Sequence, residues 1–360
     1  MTRRRVALGA VVGLSLVAVL LPRAYSADEP KPIVIESWGN YDSLAFSPDG
    51  KRLAAVTSGL GLKIEMRDSA SGALVTPFEI EGRRVVAFSP DGKTLATGGP
   101  AAGEIGVVRL WDLKTGKASG VLRNARHGVV ACLAFSPDGK RLAVGTAFED
   151  PPLRIWDVAT GKVAASCKLD TEWITVVAFG SDGSNVAGGT KEGTVYLVDA
   201  ASGKLKTTLV GPTGFIHAVR AASTRRYTRW VHALAFSADG KTLLSAGTDS
   251  KIHRWNLATE QAEVALLGHP EWFQTTAFSP DRRLLATGDV TGAVSVWDAV
   301  SGERLRDCGR HNHIVLALAF SPDGKTLASG DCMGGPLVGF DTPRSGRTIQ
   351  LHTINLPSGK

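Results

Sequence analysis

The chain has 360 residues, 43% of them apolar and 21% charged, with 41 Gly, 17 Pro and a formal charge of +7. This balance excludes a mini-protein and a disordered or collagen-like chain, and a single long apolar run at the extreme N-terminus excludes a multi-span membrane protein. Four Cys are too few for a disulfide scaffold.

The chain opens on Thr2-Arg3-Arg4-Arg5, runs uncharged from Val6 to Leu21, and then reads Pro22-Arg23-Ala24-Tyr25-Ser26-Ala27. That basic, apolar, small-residue order predicts a secretory signal over 1–26, cut before Ala27, and a short linker over 27–32. The expected destination is the periplasm or the exterior. An uncleaved anchor that tethers the protein to a membrane is the alternative, and the arginines do not separate a Sec from a twin-arginine route. Loss of 1–26 removes Arg3, Arg4, Arg5 and Arg23 and no acid, which brings +7 down to +3. A nearly balanced mature chain gives no ground for nucleic-acid binding, and no membrane span remains in it. Cys132 and Cys167 fall within apolar strand patterns, where a thiol acts as a small hydrophobe, so no disulfide is expected.

From Ile33 onward one unit recurs. Leu-Ala-Phe-Ser-Pro-Asp-Gly or a close variant places Phe at 46, 88, 135, 179, 236, 278 and 320, at intervals of 42, 47, 44, 57, 42 and 42 residues. Each copy holds an alternating strand, a Pro-Asp-Gly turn, a short strand, a loop, a third strand near Trp-Asp, a Gly-containing turn and a fourth strand. Pro presets φ, Asp bonds the turn backbone and Gly takes the left-handed conformation, so the predicted unit is a four-stranded antiparallel meander. Asp49, Asp91, Asp138, Asp182, Asp239, Asp281 and Asp323 are thereby turn residues rather than a carboxylate cluster. In copy six Arg282 stands where the others have Gly, at a cost of about 1 kcal/mol if the turn is kept.

One such sheet cannot bury both faces, whereas a ring can, so the fold class is all-β: a seven-bladed propeller over 33–354 with a short tail at 355–360. The repeats resemble the WD40 family. Trp111-Asp112, Trp156-Asp157 and Trp297-Asp298 match its signature dipeptide, while Trp255-Asn256, Phe340-Asp341, Val198-Asp199 and Arg67-Asp68 are degenerate forms. The resemblance implies a His, Ser or Thr, Asp and Trp set that stiffens each blade. By position it assigns structural roles to His269, His311 and His127, to Asp150 and Asp249, and to Trp111, Trp156, Trp255 and Trp297. No blade holds a complete set by this reading; blade six has Thr291 at the Asp position and blade five has Tyr227 at the His position. The family precedent makes Ile33-Val34-Ile35 the outer strand of blade seven, with Thr348 to Ile354 as the competing choice.

No nucleophile elbow, P-loop, HExxH, CxxC, haem or EF-hand motif is present, so no catalytic residue, cofactor or metal site is assigned, and His311-Asn312-His313 is read as part of the repeat. The informative residues break the repeat. Six positions before the repeated Phe stand Trp173, Trp230 and Trp272 in blades four, five and six. They read either as packing between blades or as a patch near the loops that join strand four to strand one. The longest interval adds Arg220, Arg225, Arg226, Tyr227 and Arg229 just before Trp230, and Arg beside Trp is hot-spot composition. The expected function is a non-catalytic scaffold binding a protein or peptide through Trp173, Trp230, Trp272, Arg225, Arg226 and Arg229. A propeller enzyme or a small-ligand or glycan binder at the channel mouth is the alternative, and a scaffold without a dominant site is a third. The sequence does not set the oligomeric state.

Overall fold

Every alternating segment before a Ser-Pro-Asp turn forms a strand that ends on the repeated Phe. These first strands are Asn40–Phe46, Val85–Phe88, Val129–Phe135, Ile174–Phe179, Val231–Phe236, Phe273–Phe278 and Val315–Phe320. The structure is a computed structural model that describes residues 31–37, 40–58, 63–75, 80–81, 84–99, 106–123, 128–210, 230–249, 251–266, 273–332 and 347–354. Its strands form seven four-stranded antiparallel sheets, six of them in simple sequence order. Each first strand touches that of the next sheet and the seventh touches the first, so the ring is closed. The fold is a seven-bladed propeller.

Blade seven shows how the ring closes. Its order is Val315–Phe320, Thr326–Asp331, Arg347–Thr353 and then Ile33–Ser37, with Ile33 opposite Leu351 and Ser37 opposite Arg347. The N-terminal strand is therefore the outer one, and the segment that competed for that place is the third strand. This corrects the dipeptide of blade seven as well. His352 lies opposite Leu327, as Trp297 lies opposite Leu285, so the signature position is His352-Thr353 and not Phe340-Asp341, which falls in the long stretch between strands two and three and outside the described residues.

The turns work harder than their Asp alone suggests. Ser47 Oγ donates to Asp49 Oδ1 at 2.6 Å and accepts from the Arg52 amide at 2.9 Å, and Asp49 Oδ1 accepts from the Lys51 amide at 3.1 Å. The Ser–Asp bond recurs in five further blades, and blade four, with Gly180 in place of Ser, bonds Asp182 to Ser184 instead. The hydroxyl, followed by the backbone amide, holds Asp49, Asp91, Asp138, Asp239 and Asp323 below the ordinary carboxylate range. Arg282 adopts φ 62°, beside 68–72° for the glycines at its place in the other blades.

Packing is between blades rather than within them. Second strands such as Leu53-Ala54-Ala55-Val56 are fully buried, whereas the outer strand Leu205–Val210 is mostly exposed. Seven apolar clusters among the described residues each join two neighbouring sheets; one packs Cys132, Leu153 and Ile155 of blade three on Ile174, Val177 and Tyr196 of blade four. Burial of each such large side chain contributes about 1.5–3 kcal/mol. A glycine ten residues after the repeated Phe permits the close approach: a Cβ at Gly189 would lie 2.8 Å from Val231 Cβ, and one at Gly330 would lie 2.7 Å from Tyr41 Cβ. The four cysteines are separate buried thiols, and burial raises Cys132 and brings Cys332 up to about 11.

Six first strands also carry a register shift at one place, between Tyr41 and Ser43 in blade one and between Val231 and Ala233 in blade five. The extra residue of such a bulge is re-aimed. In blade five it is His232, and in blade four Thr175, whose hydroxyl donates to Val231 O at 2.6 Å and so ties the two blades together.

Candidate functional site

Two constellations stand out, one inside a blade and one on a face. Inside blade seven, His311 Nε2 lies 2.7 Å from Ser329 Oγ and His311 Nδ1 lies 2.9 Å from Thr348 Oγ1 and 3.5 Å from Asp331 Oδ2. Ser329 Oγ also meets His352 Nε2 at 3.1 Å, and Asp331 Oδ1 accepts from the Thr348 amide at 2.6 Å. Contrary to the reading from spacing, blade seven holds a complete set, with Asp331 as the acid and His352 in the place of Trp. Ser, His and Asp in contact suggest nucleophile chemistry, but Ser329 and Asp331 are fully buried and the serine oxygen is already shared between two imidazoles. No substrate reaches it. The arrangement ties three strands of one sheet to the segment that precedes it.

Among the described residues the other blades show parts of the set. Trp111, Trp255 and Trp297 donate Nε1–H to Thr97, Ser245 and Thr287 at 3.0, 2.9 and 2.9 Å. Trp156 faces Val144 at that position and its buried N–H has no partner among the described residues. Asp249 bonds His253 at 2.6 Å, and that ring stacks on Trp255 at 5.8 Å. Asp150 does not join Trp156: it sits on the surface and pairs with Lys168 at 3.2 Å, because the loop before Leu153 carries it outward. In blade six the acid is Asp289 rather than Thr291, which donates to it through both its amide and its hydroxyl. His127, Tyr227 and His269 lie outside the described residues.

The second constellation lies where the strand-two-to-three turns meet the strand-four-to-one connections. Phe148 of blade three, Trp173 of blade four and Trp230 of blade five form a row with centroid separations of 5.6 and 5.0 Å and tilts of 55° and 53°. His232 continues the row 6.0 Å from Trp230, and burial brings its imidazole down to about 4. Trp173 and Trp230 are half-buried, so they pack across a blade boundary and still show an edge to solvent. Trp230 Nε1 is buried without a partner among the described residues. Phe148 is 60% exposed.

The frame beneath the row is fixed. Ala147 pairs with Trp173 in an isolated bridge and the Phe148 amide donates to Glu172 O at 2.7 Å, which joins blade three to blade four. Tyr196 donates to Asp170 O at 3.0 Å, and Thr171 donates to Glu192 Oε2 at 3.0 Å. Phe148 holds φ 60°, a left-handed conformation that costs a non-glycine residue about 1–2 kcal/mol, and this is what turns its ring toward Trp173. Lys191 Nζ lies 5.9 Å from the Phe148 ring centre and 6.0 Å from that of Trp173, and 3.3 Å from Glu172. Phe148 and Lys191 were missed from sequence because each follows a strand in a loop with no repeat signature. Trp272, Arg225, Arg226 and Arg229, with Arg220, lie outside the described residues.

A closed ring of seven four-stranded blades with indole-to-hydroxyl bonds inside the sheets defines a repeat-built β-propeller. A model of the anaphase-promoting complex subunit 4 WD40 domain matches residues 102–182, and the WD domain, G-beta repeat model matches 219–256, 261–298 and 302–335. Together these cover more than half of the sequence, and the chain belongs to the WD40-repeat family. Propellers of this family are typically non-catalytic scaffolds for protein interaction. The chain is similar to the WD repeat-containing protein 26 homolog of Drosophila melanogaster, at 29% identity over 51% of this chain and 26% of that protein. It is also similar to transducin beta-like protein 3 of Bos taurus, at 28% over 56% of this chain and 23% of that one. The small ribosomal subunit protein RACK1 of Brassica napus is 28% identical over 48% of this chain and 38% of its own length. The alignments thus span well under half of each relative. Among the described residues no helix is long and apolar enough to cross a membrane.

Proposed function

We propose that the protein is an exported, non-catalytic interaction module that grips a protein or peptide through the face bearing Trp173, Trp230 and Trp272. The observation that carries this reading is the half-exposed row Phe148, Trp173 and Trp230, which crosses two blade boundaries on a hydrogen-bonded frame. Large aromatic surface presented by rigid elements binds without a large ordering cost, which is the physical profile of a hot spot. Arg225, Arg226 and Arg229 join the proposal by their sequence position beside Trp230, and export rests on residues 1–26. Neither the names of the relatives nor their assemblies fix this protein's partner.

The test is a pull-down from the exported fraction with the mature protein beside a Trp173→Ala/Trp230→Ala/Trp272→Ala variant of checked melting temperature. The expected result is a partner retained by the parent and lost by an equally stable variant. A partner held equally by both moves the site away from this face, and the same protein recovered uncleaved from the cytoplasm removes the export claim.

A further inference from the structure

The aromatic row already contains a cation. Lys191 Nζ sits between the rings of Phe148 and Trp173 on one side and the carboxylates of Glu172 and Glu192, at 3.3 and 3.8 Å, on the other. Its side chain is 24% exposed, while those of Glu172 and Glu192 are 75% and 48% exposed. Two ring faces and two acids around one ammonium form a cradle whose shape and charge suit a positive group. The neighbouring charges do not oppose that. Glu149 is paired with Arg154 at 3.3 Å and Asp150 with Lys168 at 3.2 Å, while Glu172 and Glu192 both lie against Lys191. At this point of the face two carboxylates meet one ammonium, so a cationic group that takes the place of Lys191 meets attraction.

We propose that the surface where the Phe148 and Trp173 rings adjoin Glu172 and Glu192 recognises an arginine side chain of the bound protein or peptide, and that Lys191 covers it in the free protein and swings out on binding. The proposal rests on the reading of this face as the binding face. Exchange of one cation for another leaves the carboxylates paired throughout, so no charge is stranded. Lys191 stands on the short turn between Thr190 and Gly193, at the edge of this surface, with water within reach of its ammonium. Guanidinium replaces it with advantage because it stacks flat on a ring and presents a fork of donors to carboxylates, which a point-like ammonium does not. The left-handed backbone at Phe148 fits this role, since it presents a largely exposed ring to this surface where burial would have been the cheaper arrangement.

Capped tetra-arginine is the probe, titrated calorimetrically at low salt into the mature protein, with tetraglutamate as its mirror. The parent binds tetra-arginine and not tetraglutamate. Lys191→Met removes the competitor and tightens tetra-arginine binding about five-fold, because the site is then open all the time. Glu172→Gln/Glu192→Gln weakens it about five-fold or more, and Phe148→Leu, which keeps every charge, weakens it as well, which separates stacking from general attraction. Equal binding of both peptides, no binding of tetra-arginine by parent or Lys191→Met, or weaker binding by Lys191→Met would overturn the proposal. A partner lost by the tryptophan variant but indifferent to the Lys191, Glu172 and Glu192 substitutions leaves the face standing and removes the arginine site. Arginine binding that depends on the glutamates, with no partner lost by the tryptophan variant, removes the functional reading of the face instead.

Discussion

Blades four and seven are the same sheet built in two ways. Blade seven fills its interior with His311, Ser329 and His352 joined by hydrogen bonds, and with Asp331, which is tied to them through Thr348. Blade four has Gly188, Thr190 and Val198 at the places of Ser329, Asp331 and His352, and Asp170 at that of His311. Yet both have four antiparallel strands in equivalent register, a bulge in the first strand and a glycine against the next blade, Gly189 or Gly330. The difference teaches that the polar set is an addition and the apolar contact between blades is the requirement. Blade four keeps only one buried hydroxyl at those positions, Thr190, which accepts from the Glu192 and Thr194 amides, and it carries the aromatic and charged side chains of the proposed binding face.

The largest effect that tests this is steric. Gly189→Val and Gly330→Val each force a branched side chain into the neighbouring strand, and both should lower stability by about 3 kcal/mol in chemical denaturation. Equal losses support packing as the common device; a mild loss in blade four beside a severe one in blade seven would show that the polar set carries the sheet.

The next effect separates the blades by acid. Burial, aided by His311 and Arg306, brings His352 down to about 3 from an ordinary 6.5, and His232 is brought down to about 4. The unfolded chain therefore takes up protons below about 6.5 that the folded one refuses, so this part of the stability is complete above that pH and lost as pH falls toward 3–4. The turn aspartates, depressed from 3.8, add a second loss below about 4, as their carboxylates protonate. His352→Gln should reduce the first slope to the share of His232 and leave the second, read as denaturation midpoints from pH 8 to 3. A parent profile flat between 6.5 and 4 would remove the assignment of both histidines.

The smallest effect is a gain. Arg282→Gly relieves a left-handed residue at φ 62° and should add about 1 kcal/mol, seen as a rise in melting temperature. A fall would mean that the bond from the Arg282 guanidinium to Pro280 O outweighs the backbone cost.

How far these features were legible follows from which of them repeat. Seven Phe at near-equal intervals exposed the blades and the ring, because each unit must bury its faces on its neighbours. The third strand of blade seven was misplaced because Phe340-Asp341 imitates the dipeptide inside a long intervening stretch, while His352 does not look like a tryptophan. The bulges were invisible, since one extra residue leaves the composition of a strand unchanged. On the face, Trp173 and Trp230 were visible as departures from the repeat. Phe148 and Lys191 were not, because only the curvature of the ring brings turns of different blades beside them.

The pairing of Ile33–Ser37 with Arg347–Thr353 has a consequence for synthesis. Of the strands in the ring, the one that leaves the ribosome first finds its partner only after the ring's last strand has emerged. Six blades can form in order as they appear, but the seventh cannot be completed until both ends of the ring-forming segment are present at once. Throughout elongation the Arg347 strand's future neighbour is an unpaired strand in search of hydrogen bonds, exposed to chaperones and to like strands on other nascent chains. The ring thus carries a built-in check on its own completeness, since a chain cut short within it cannot latch.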